Sequence, residues 1–383
     1  MKIAIVSPGY PPAPGGVESV VAQSARALVR AGFEVEVLAQ ERSADFPRVE
    51  RYHGVLVRRF RTNQAENFRI APGLYRYLAR HAAEYDVVHG HSYHALVGVA
   101  SALVTRRRGG STPFVFSPHF HGTGHTEARA LLHHLYTRWG RAAVGASRAV
   151  VCVSPSEAEL FVSRFPKAVN KISVIPNAVD VDAVRAASAL VGEPPTVLSV
   201  GRLETYKRVD RLVRAFGALA REARGKAEPC QLVVIGTGPD RARLEVLAAD
   251  VCPEGSVRFL GRVEDDELHR WLRTASALCS LSEHEAYGLA PAEALAAGAS
   301  VVLSDIPAHT QFTASGRADL VDAKADDETL AGTLFSVLNN AEPLPPDAPS
   351  PVPNWDEIGA HLAALYISCS ENAHASESVG VPA

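Results

Sequence analysis

Short apolar runs alternate with helix-like segments along the chain, and this alternation restricts the possible folds more than any other feature. Lys2–Ser7 is predicted to be a buried parallel strand, because its apolar residues are consecutive. A proline-rich loop follows and closes on Gly15 and Gly16, after which residues 17–31 favour a helix and residues 34–38 a second strand. Strand, glycine loop, helix and strand form the opening unit of a doubly wound α/β sheet.

The second half of the chain repeats this unit. Thr196–Val200 and Gln231–Ile235 have strand character, and a glycine-containing loop and a helix-like segment follow each of them. A length of 383 residues suggests two or three domains. The predicted organisation is a Rossmann-like domain at 1–180, a second Rossmann-like domain at 181–345, a terminal helix at 346–367 and a disordered tail at 368–383.

Composition and charge exclude several classes of protein. The formal net charge of -3 and the pI of about 6.6 argue against a nucleic-acid-binding protein, which normally has a basic excess. The five cysteines are scattered without a C-x-x-C pair, so neither a zinc ribbon nor a disulfide framework is indicated. Because the sequence has no signal-like start and no run of about eighteen apolar residues, we expect a reduced, cytoplasmic protein.

Residues 282–303 predict a loop, a short helix and a strand. Gly288 allows a tight turn, and Pro291 suits the first turn of a helix, where its missing N–H costs nothing. Gly298 is the expected C-cap. Helix N-termini carry unpaired N–H groups and a positive dipole end, so the backbone of Gly288 and Leu289 is predicted to contact a phosphate.

Two carboxylates frame this turn, Glu285 before it and Glu293 inside the helix. A carboxylate beside a bound phosphate would repel it, so both acids are expected to face hydroxyl groups and accept their hydrogen bonds. An anion-binding turn between two hydroxyl acceptors fits a sugar nucleotide. The alternative is an ordinary helix with an acidic first turn.

Two basic side chains are predicted to meet the same ligand. Arg202 leaves the end of one predicted strand and Lys207 starts the following helix, so both can converge on one crevice. An arginine fork and a lysine charge suit a diphosphate and can neutralise it without a metal ion. The alternative is a surface ion pair for either residue.

A histidine-rich loop follows the predicted strand at 114–117. His119 lies just beyond that strand, at the sheet edge where open α/β folds bind ligands. His119, His121 and His125 also permit a metal-site interpretation. Their spacing on a loop defines no coordination geometry, however, and no carboxylate joins them.

The motif Ser-x-x-Glu-x-Tyr-Gly-Leu-x-x-x-Glu-Ala-Leu-Ala-x-Gly at 282–298 resembles the signature of the retaining glycosyltransferases of the family-4 type (glycosyl transferases group 1). Gly-Arg-x4-Lys at 201–207 extends the resemblance, which covers nearly the whole chain. It implies the GT-B fold, in which two doubly wound Rossmann-like domains face each other across a cleft. It also implies that the second domain binds a nucleotide sugar and that the terminal helix packs back on the first.

The resemblance assigns a role to each candidate residue. It implies that Arg202 and Lys207 stabilise the diphosphate leaving group, that Glu293 accepts the ribose hydroxyls, and that Glu285 and His119 hold the sugar. The backbone contacts that it implies come from Gly15, Gly16, Val263, Gly288 and Leu289. For the first two glycines, the alternative is a tight turn that serves packing alone.

The implied reaction moves a hexose-type sugar from a UDP or GDP sugar to a hydroxyl acceptor with retention of configuration. No metal and no other cofactor is expected. The acceptor is a lipid, a glycan or a small molecule, and loops at 63–73 and 122–129 are expected to select it. Peripheral contact with the inner face of the membrane would follow from a lipid acceptor.

Several positions depart from the family pattern. Ala178 stands where glycine is usual, and alanine would be strained there if the backbone needed a positive φ. Asp180-x-Asp182 matches the D-x-D of metal-dependent glycosyltransferases but lies in the segment between the domains, so we interpret it as unrelated to metal. Residues 305–309 replace a glycine-rich turn that would face the donor sugar, which leaves the sugar undefined.

Three other functions compete with a glycosyltransferase. A sugar-nucleotide epimerase would convert the donor without an acceptor. A non-enzymatic sugar-binding protein with two α/β lobes is usually exported, and no signal segment is evident. An NAD enzyme is disfavoured because neither glycine loop matches G-x-G-x-x-G.

Overall fold

The computed structural model describes residues 1–13, 15–43, 45–63, 69–122, 127–222, 229–340, 344–345 and 348–378. The chain forms two compact units, unit 1 with residues 1–177 and 355–383, and unit 2 with residues 178–354. The boundary therefore falls after Asn177 rather than after residue 180. Residues 348–354 stay with unit 2 because Val179 pairs with Asn354 in a β-bridge and Val179 N donates to Pro353 O at 3.1 Å.

Unit 1 is built on an eight-stranded sheet in the order β3-β4-β2-β1-β5-β6-β7-β8. Neighbouring strands run parallel, except that β3 and β4 are antiparallel. The strands are β1 (Lys2–Ser7), β2 (Glu34–Glu41), β3 (Val49–Tyr52), β4 (Val55–Arg61), β5 (Val87–His91), β6 (Phe114–Ser117), β7 (Ala149–Cys152) and β8 (Ile172–Val174).

Unit 2 is built on a six-stranded parallel sheet in the order β11-β10-β9-β12-β13-β14. Its strands are β9 (Thr196–Val200), β10 (Gln231–Ile235), β11 (Val257–Gly261), β12 (Ala277–Ser280), β13 (Ser300–Ser304) and β14 (Ala318–Val321). The strand order reverses between β9 and β12. In open parallel sheets, ligands bind beyond the carboxyl ends of the strands at such a switch point.

The helices cover both sheets. They are α1 (Gly16–Arg30), α2 (Pro72–His81), α3 (Val97–Arg108), α4 (Glu127–Ala146), α5 (Pro155–Arg164), α6 (Val181–Ala186), α7 (Val209–Glu222), α8 (Arg241–Val251), α9 (Asp265–Thr274), α10 (Leu289–Ala297), α11 (Asp327–Asn340) and α12 (Trp355–Ser378). The central strands are buried on both faces, as their continuous apolar runs predict. The doubly wound α/β prediction is therefore confirmed for both halves of the chain.

The terminal helix α12 belongs to unit 1, where it packs against α1. The two helices approach closely, since a Cβ added to Gly359 would lie 2.9 Å from Ala27 Cβ. The helix starts at Trp355 rather than at residue 346 and continues to Ser378, which corrects the predicted disordered tail. Residues 368–378 contain neither glycine nor proline, so nothing in the sequence ends the helix there. Residues 379–383 lie outside the described part of the chain.

None of the helices in the described part of the chain has both the length and the apolar character needed to span a membrane.

Candidate active site

The loops that follow β9 and β12 meet at the switch point of unit 2. Glu283 N in the second loop donates to Tyr206 O in the first at 2.9 Å. The rings of Tyr206 and His284 stack with centroids 4.5 Å apart. These contacts bring the Gly-Arg-x4-Lys segment beside the segment that carries Glu285.

Lys207 and Glu285 form a half-buried ion pair. Lys207 Nζ lies 2.5 Å from Glu285 Oε1, and the two side chains are 20% and 19% exposed. Burial acts to raise the pKa of Glu285, but the charge and hydrogen bond of Lys207, with smaller effects of Ser282 and His309, outweigh burial and lower it. The carboxylate is therefore ionised at neutral pH, and the pair presents one cation and one anion at the sheet edge.

Arg202 extends from the end of β9 and is 66% exposed. It contacts Glu204 Oε1 at 2.6 Å, and its Nη2 donates to the Tyr206 hydroxyl at 3.2 Å. Lys207 does not start the long helix, because residues 205–207 form a 3-10 turn and Arg208 then adopts a left-handed φ of 51°. Both Arg202 and Lys207 contact Tyr206, whose ring centroid is 5.4 Å from Lys207 Nζ.

The predicted anion-binding turn has the expected backbone. Gly288 is the N-cap of α10 with φ of 103°, and Gly298 caps its other end with φ of 94°. A Cβ on Gly288 would lie 3.1 Å from Phe312 Cε2, so space as well as φ favours glycine there. The N–H groups of Leu289 and Ala290 lie in the first turn and have no acceptor within the helix.

Glu293 lies in α10, half-buried and with no hydrogen-bond partner among the described residues. Burial, with a smaller effect from Asp265, raises its pKa to about 7. Asp265 begins α9, two residues after Val263, so the loop predicted to meet the base lies near the carboxylate predicted to meet the ribose. An unpartnered carboxylate at this edge can accept hydrogen bonds from a ligand.

The glycine-containing loop after β10, residues 236–239, packs against the loop after β9 that carries Arg202. A Cβ on Gly236 would lie 1.8 Å from Gly201 O, and one on Gly238 would lie 2.2 Å from Leu203 O. Leu203 N also donates to Thr237 O at 2.9 Å. The G-x-G-P sequence is therefore explained by backbone packing that holds the Arg202 loop in place.

His309 is a site neighbour that the sequence did not single out as a functional residue. It is fully buried, and its Nδ1 donates to Ser304 O at 2.9 Å. Its Cδ2 faces Gly288, since a Cβ there would lie 3.6 Å away. It belongs to the segment that departs from the family pattern at 305–309.

Unit 1 carries the other predicted site residues. Gly15 precedes α1 as its N-cap and Gly16 is the first helical residue. His119 is half-buried beyond β6 and adopts a left-handed φ of 48°. Its Nε2 lies 3.0 Å from Nδ1 of His91, a residue that was missed by sequence reasoning. The Val-Val-His-Gly-His end of β5 was the available signal, because β5 and β6 are neighbours.

These histidines line a small pocket within unit 1. Apolar side chains of α1, β7 and α12 form part of its remaining wall, namely Val20, Val151, Trp355, Ile358 and Leu362. His89, next to His91, bonds the Tyr366 hydroxyl through Nδ1 at 2.6 Å and Ser117 Oγ through Nε2 at 2.9 Å.

The D-x-D motif, which could suggest a metal site, has a structural role at its first aspartate. Asp180 caps α6, with Oδ1 accepting from Ala183 N at 3.2 Å. Ala178 is not among the residues with positive φ, so no strain arises there. Residues 123–126 of the second acceptor loop, His125 among them, lie outside the described residues, as do residues 64–68 of the first. Within the described ranges, no three His, Cys, Asp or Glu side chains are grouped so as to hold a metal ion.

Two family models match the chain in succession. Glycosyltransferase Family 4 matches residues 14–183, and Glycosyl transferases group 1 matches residues 180–346. The chain is 27% identical over 396 residues to D-inositol 3-phosphate glycosyltransferase of Jonesia denitrificans, covering 92% of this chain and 91% of the relative.

Solved structures share the fold over nearly the full length. Sucrose-phosphate synthase from Thermosynechococcus elongatus has a TM-score of 0.74 at 21% identity, covering 96% of this chain and 98% of that one. Anabaena HepE in complex with UDP-glucose has a TM-score of 0.67 at 17% identity, covering 99% and 100%. These family matches, with two parallel-sheet units and the motifs of unit 2 in place, show that the chain belongs to the family-4 type of GT-B glycosyltransferases.

Proposed function

We propose that this glycosyltransferase moves a hexose-type sugar from a UDP or GDP sugar to a hydroxyl acceptor, with retention and without a metal ion. The observation that carries the proposal is the edge of unit 2. There the Glu293 carboxylate, which has no partner among the described residues, lies near the first-turn N–H groups of α10 and the basic side chains of Arg202 and Lys207 at the same switch point.

Each group matches one part of a nucleotide diphosphate. Glu293 accepts hydrogen bonds from the ribose hydroxyls, and backbone near Val263 meets the base. Arg202, Lys207 and the N–H of Leu289 balance the charge of the diphosphate. The Lys207–Glu285 pair leaves Glu285 ionised and available to a sugar hydroxyl.

In the proposed step, the bond between the anomeric carbon and the diphosphate oxygen breaks, and the acceptor oxygen bonds to that carbon on the same face. The acceptor proton passes to the leaving phosphate. Arg202 and Lys207 stabilise the negative charge that develops there, which is a role that a metal ion fills in other enzymes.

The relatives support the donor class without fixing the acceptor. HepE was solved with UDP-glucose, and the Jonesia denitrificans relative is named for inositol 3-phosphate. We propose a nucleotide sugar as donor and a lipid, glycan or small polyol as acceptor. We propose that a lipid acceptor would place the enzyme at the inner membrane surface.

A donor screen tests the reaction. Purified protein incubated with UDP and GDP sugars and a cell extract is expected to form a glycosylated product, detected by mass spectrometry, equally well with and without EDTA. Product NMR should show the anomeric configuration of the donor. Loss of turnover with EDTA would contradict metal independence, whereas conversion of the donor without an acceptor would indicate an epimerase.

The titration of Glu293 gives a second prediction. Its pKa of about 7 means that the ionised acceptor form increases between pH 6 and pH 8. UDP affinity of the wild type is therefore expected to rise about tenfold over this range relative to Glu293→Gln, as measured by isothermal titration. The variant serves as the reference because the phosphate groups of UDP titrate identically in both proteins.

Stability of the same variant provides the control. A raised carboxyl pKa means that the folded state loses stability as pH rises from about 4.5 to about 7. Glu293→Gln should therefore melt at a higher temperature than the wild type at pH 8 while binding UDP more weakly. If UDP affinity changed equally with pH in the wild type and in Glu293→Gln, the assignment of Glu293 to the ribose would be contradicted.

A further inference from the structure

His91 and His119 share one hydrogen bond at the carboxyl ends of β5 and β6. His91 Nδ1 lies 3.0 Å from His119 Nε2, and the rings are within 22° of parallel. The sheet register fixes this pair, because His91 aligns with Ser117, two residues before His119. When both rings are neutral, one must donate and the other must accept.

Both rings are neutral at pH 7. Burial, with a smaller effect from His121, lowers the pKa of His119 to about 4. Burial, with smaller effects from His89 and His119, lowers the pKa of His91 well below its ordinary value. Each ring therefore carries a single proton, on either Nδ1 or Nε2.

The surroundings of His91 Nε2, the ring nitrogen that does not face His119, indicate which ring donates. His91 is 3% exposed, and its Nε2 is buried without a hydrogen-bond partner in the described part of unit 1. If His119 were the donor, His91 would carry its proton on this Nε2 and bury an unpaired N–H. If His91 is the donor, only a lone pair is left there. Buried unpaired N–H groups are the rarer of the two, so His91 donates from Nδ1.

We infer that His91 is a positioning residue, which fixes the tautomer of His119 so that His119 presents Nδ1–H to a ligand oxygen. With Nε2 held by His91, Nδ1 is the ring nitrogen left for a ligand, and no described residue bonds it. The left-handed φ of 48° at His119 fits this, because strained backbone persists where surrounding structure holds a functional side chain.

The ligand part of this inference rests on the proposed function, because the oxygen that we assign to His119 Nδ1–H is a hydroxyl or ring oxygen of the transferred sugar and not a part of the nucleotide. The tautomer part stands on the geometry of unit 1 alone, so the two parts can fail separately.

The tautomer can be read directly by NMR. Full-length protein labelled with ¹⁵N-histidine is expected to show His119 protonated on Nδ1 and not on Nε2 at pH 7.5, with the His119 signals identified by their loss in His119→Asn. In His91→Leu, the proton should move to Nε2, which a neutral imidazole without a partner prefers. In His91→Asn, the side-chain amide can replace the lost N–H donor, and Nδ1 protonation should be retained.

Tyr366→Phe is the matched control. It removes the hydroxyl that bonds His89 in the same pocket but leaves the His91–His119 pair intact. We expect a lower melting temperature for this variant with an unchanged tautomer. A tautomer change in Tyr366→Phe equal to that in His91→Leu would mean general loosening of the pocket and would overturn the inference.

Kinetics complete the test. His91→Leu is expected to lower kcat/KM about tenfold or more, with His91→Asn within about threefold of the wild type and UDP affinity unchanged in both. Protonation of His119 on Nε2 in the wild type would overturn the tautomer assignment. A correct tautomer with no kinetic effect of His91→Leu in an active enzyme would overturn the ligand contact, and absence of any sugar transfer would count against the proposed function instead.

Discussion

Replacing Arg202 by alanine is expected to lower kcat at least about 100-fold while leaving the melting temperature nearly unchanged. The guanidinium is expected to act on charge that develops on the leaving diphosphate, and losing one such preorganised donor costs about 100-fold to 1,000-fold in kcat. Its side chain is 66% exposed and its ion pair with Glu204 lies at the surface, so it adds little to folding. Steady-state kinetics and thermal melting measure both quantities.

Arg221→Ala is the matched control for this prediction. Arg221 is also an exposed arginine of unit 2, but it lies in the last turn of α7, which runs from the site edge back across the sheet. Its Nη1 donates to Val251 O at 3.1 Å. We expect wild-type kcat for this variant. A near-wild-type rate for Arg202→Ala would remove Arg202 from the reaction.

Gly236→Ala is expected to destabilise the protein by about 2–5 kcal/mol, since overpacking and left-handed strain add. A Cβ at this position would lie 1.8 Å from Gly201 O, and the residue has φ of 138°. The neighbouring bonds from Gly201 N to Ile235 O and from Gly236 N to Gly261 O would be distorted. Urea unfolding measures the loss, and UDP affinity should fall because the Arg202 loop is displaced.

The control for this glycine is Gly255→Ala. Gly255 lies in the same unit with φ of 75°, but no atom of the described residues stands within 4 Å of an added Cβ. It should therefore show only the conformational cost of about 1–2 kcal/mol. Equal losses for the two variants would show that backbone strain alone, and not contact with Gly201, makes Gly236 necessary.

The sequence predicted the sheets well because buried parallel strands are uninterrupted apolar runs. Thr196–Val200, Gln231–Ile235 and Phe114–Ser117 have the predicted bounds. The caps of α10 were equally visible, since only glycine takes left-handed φ without strain at Gly288 and Gly298.

Contacts between segments that are distant along the chain could not be predicted from the sequence. Lys207 meets Glu285 across 78 positions of sequence, so its partner could not be read from local spacing. The link between His91 and His119 depends on which strands are neighbours, and β5 and β6 are separated by the whole of α3. The extension of α12 to Ser378 was missed because small and polar residues predict a tail as readily as an exposed helix.

A crystal structure with UDP bound tests the central claim most directly. We predict that the ribose hydroxyls lie within about 3 Å of the Glu293 carboxylate. The diphosphate should lie against Lys207, Arg202 and the N–H of Leu289. UDP bound elsewhere, with Glu293 in contact only with water, would contradict the account.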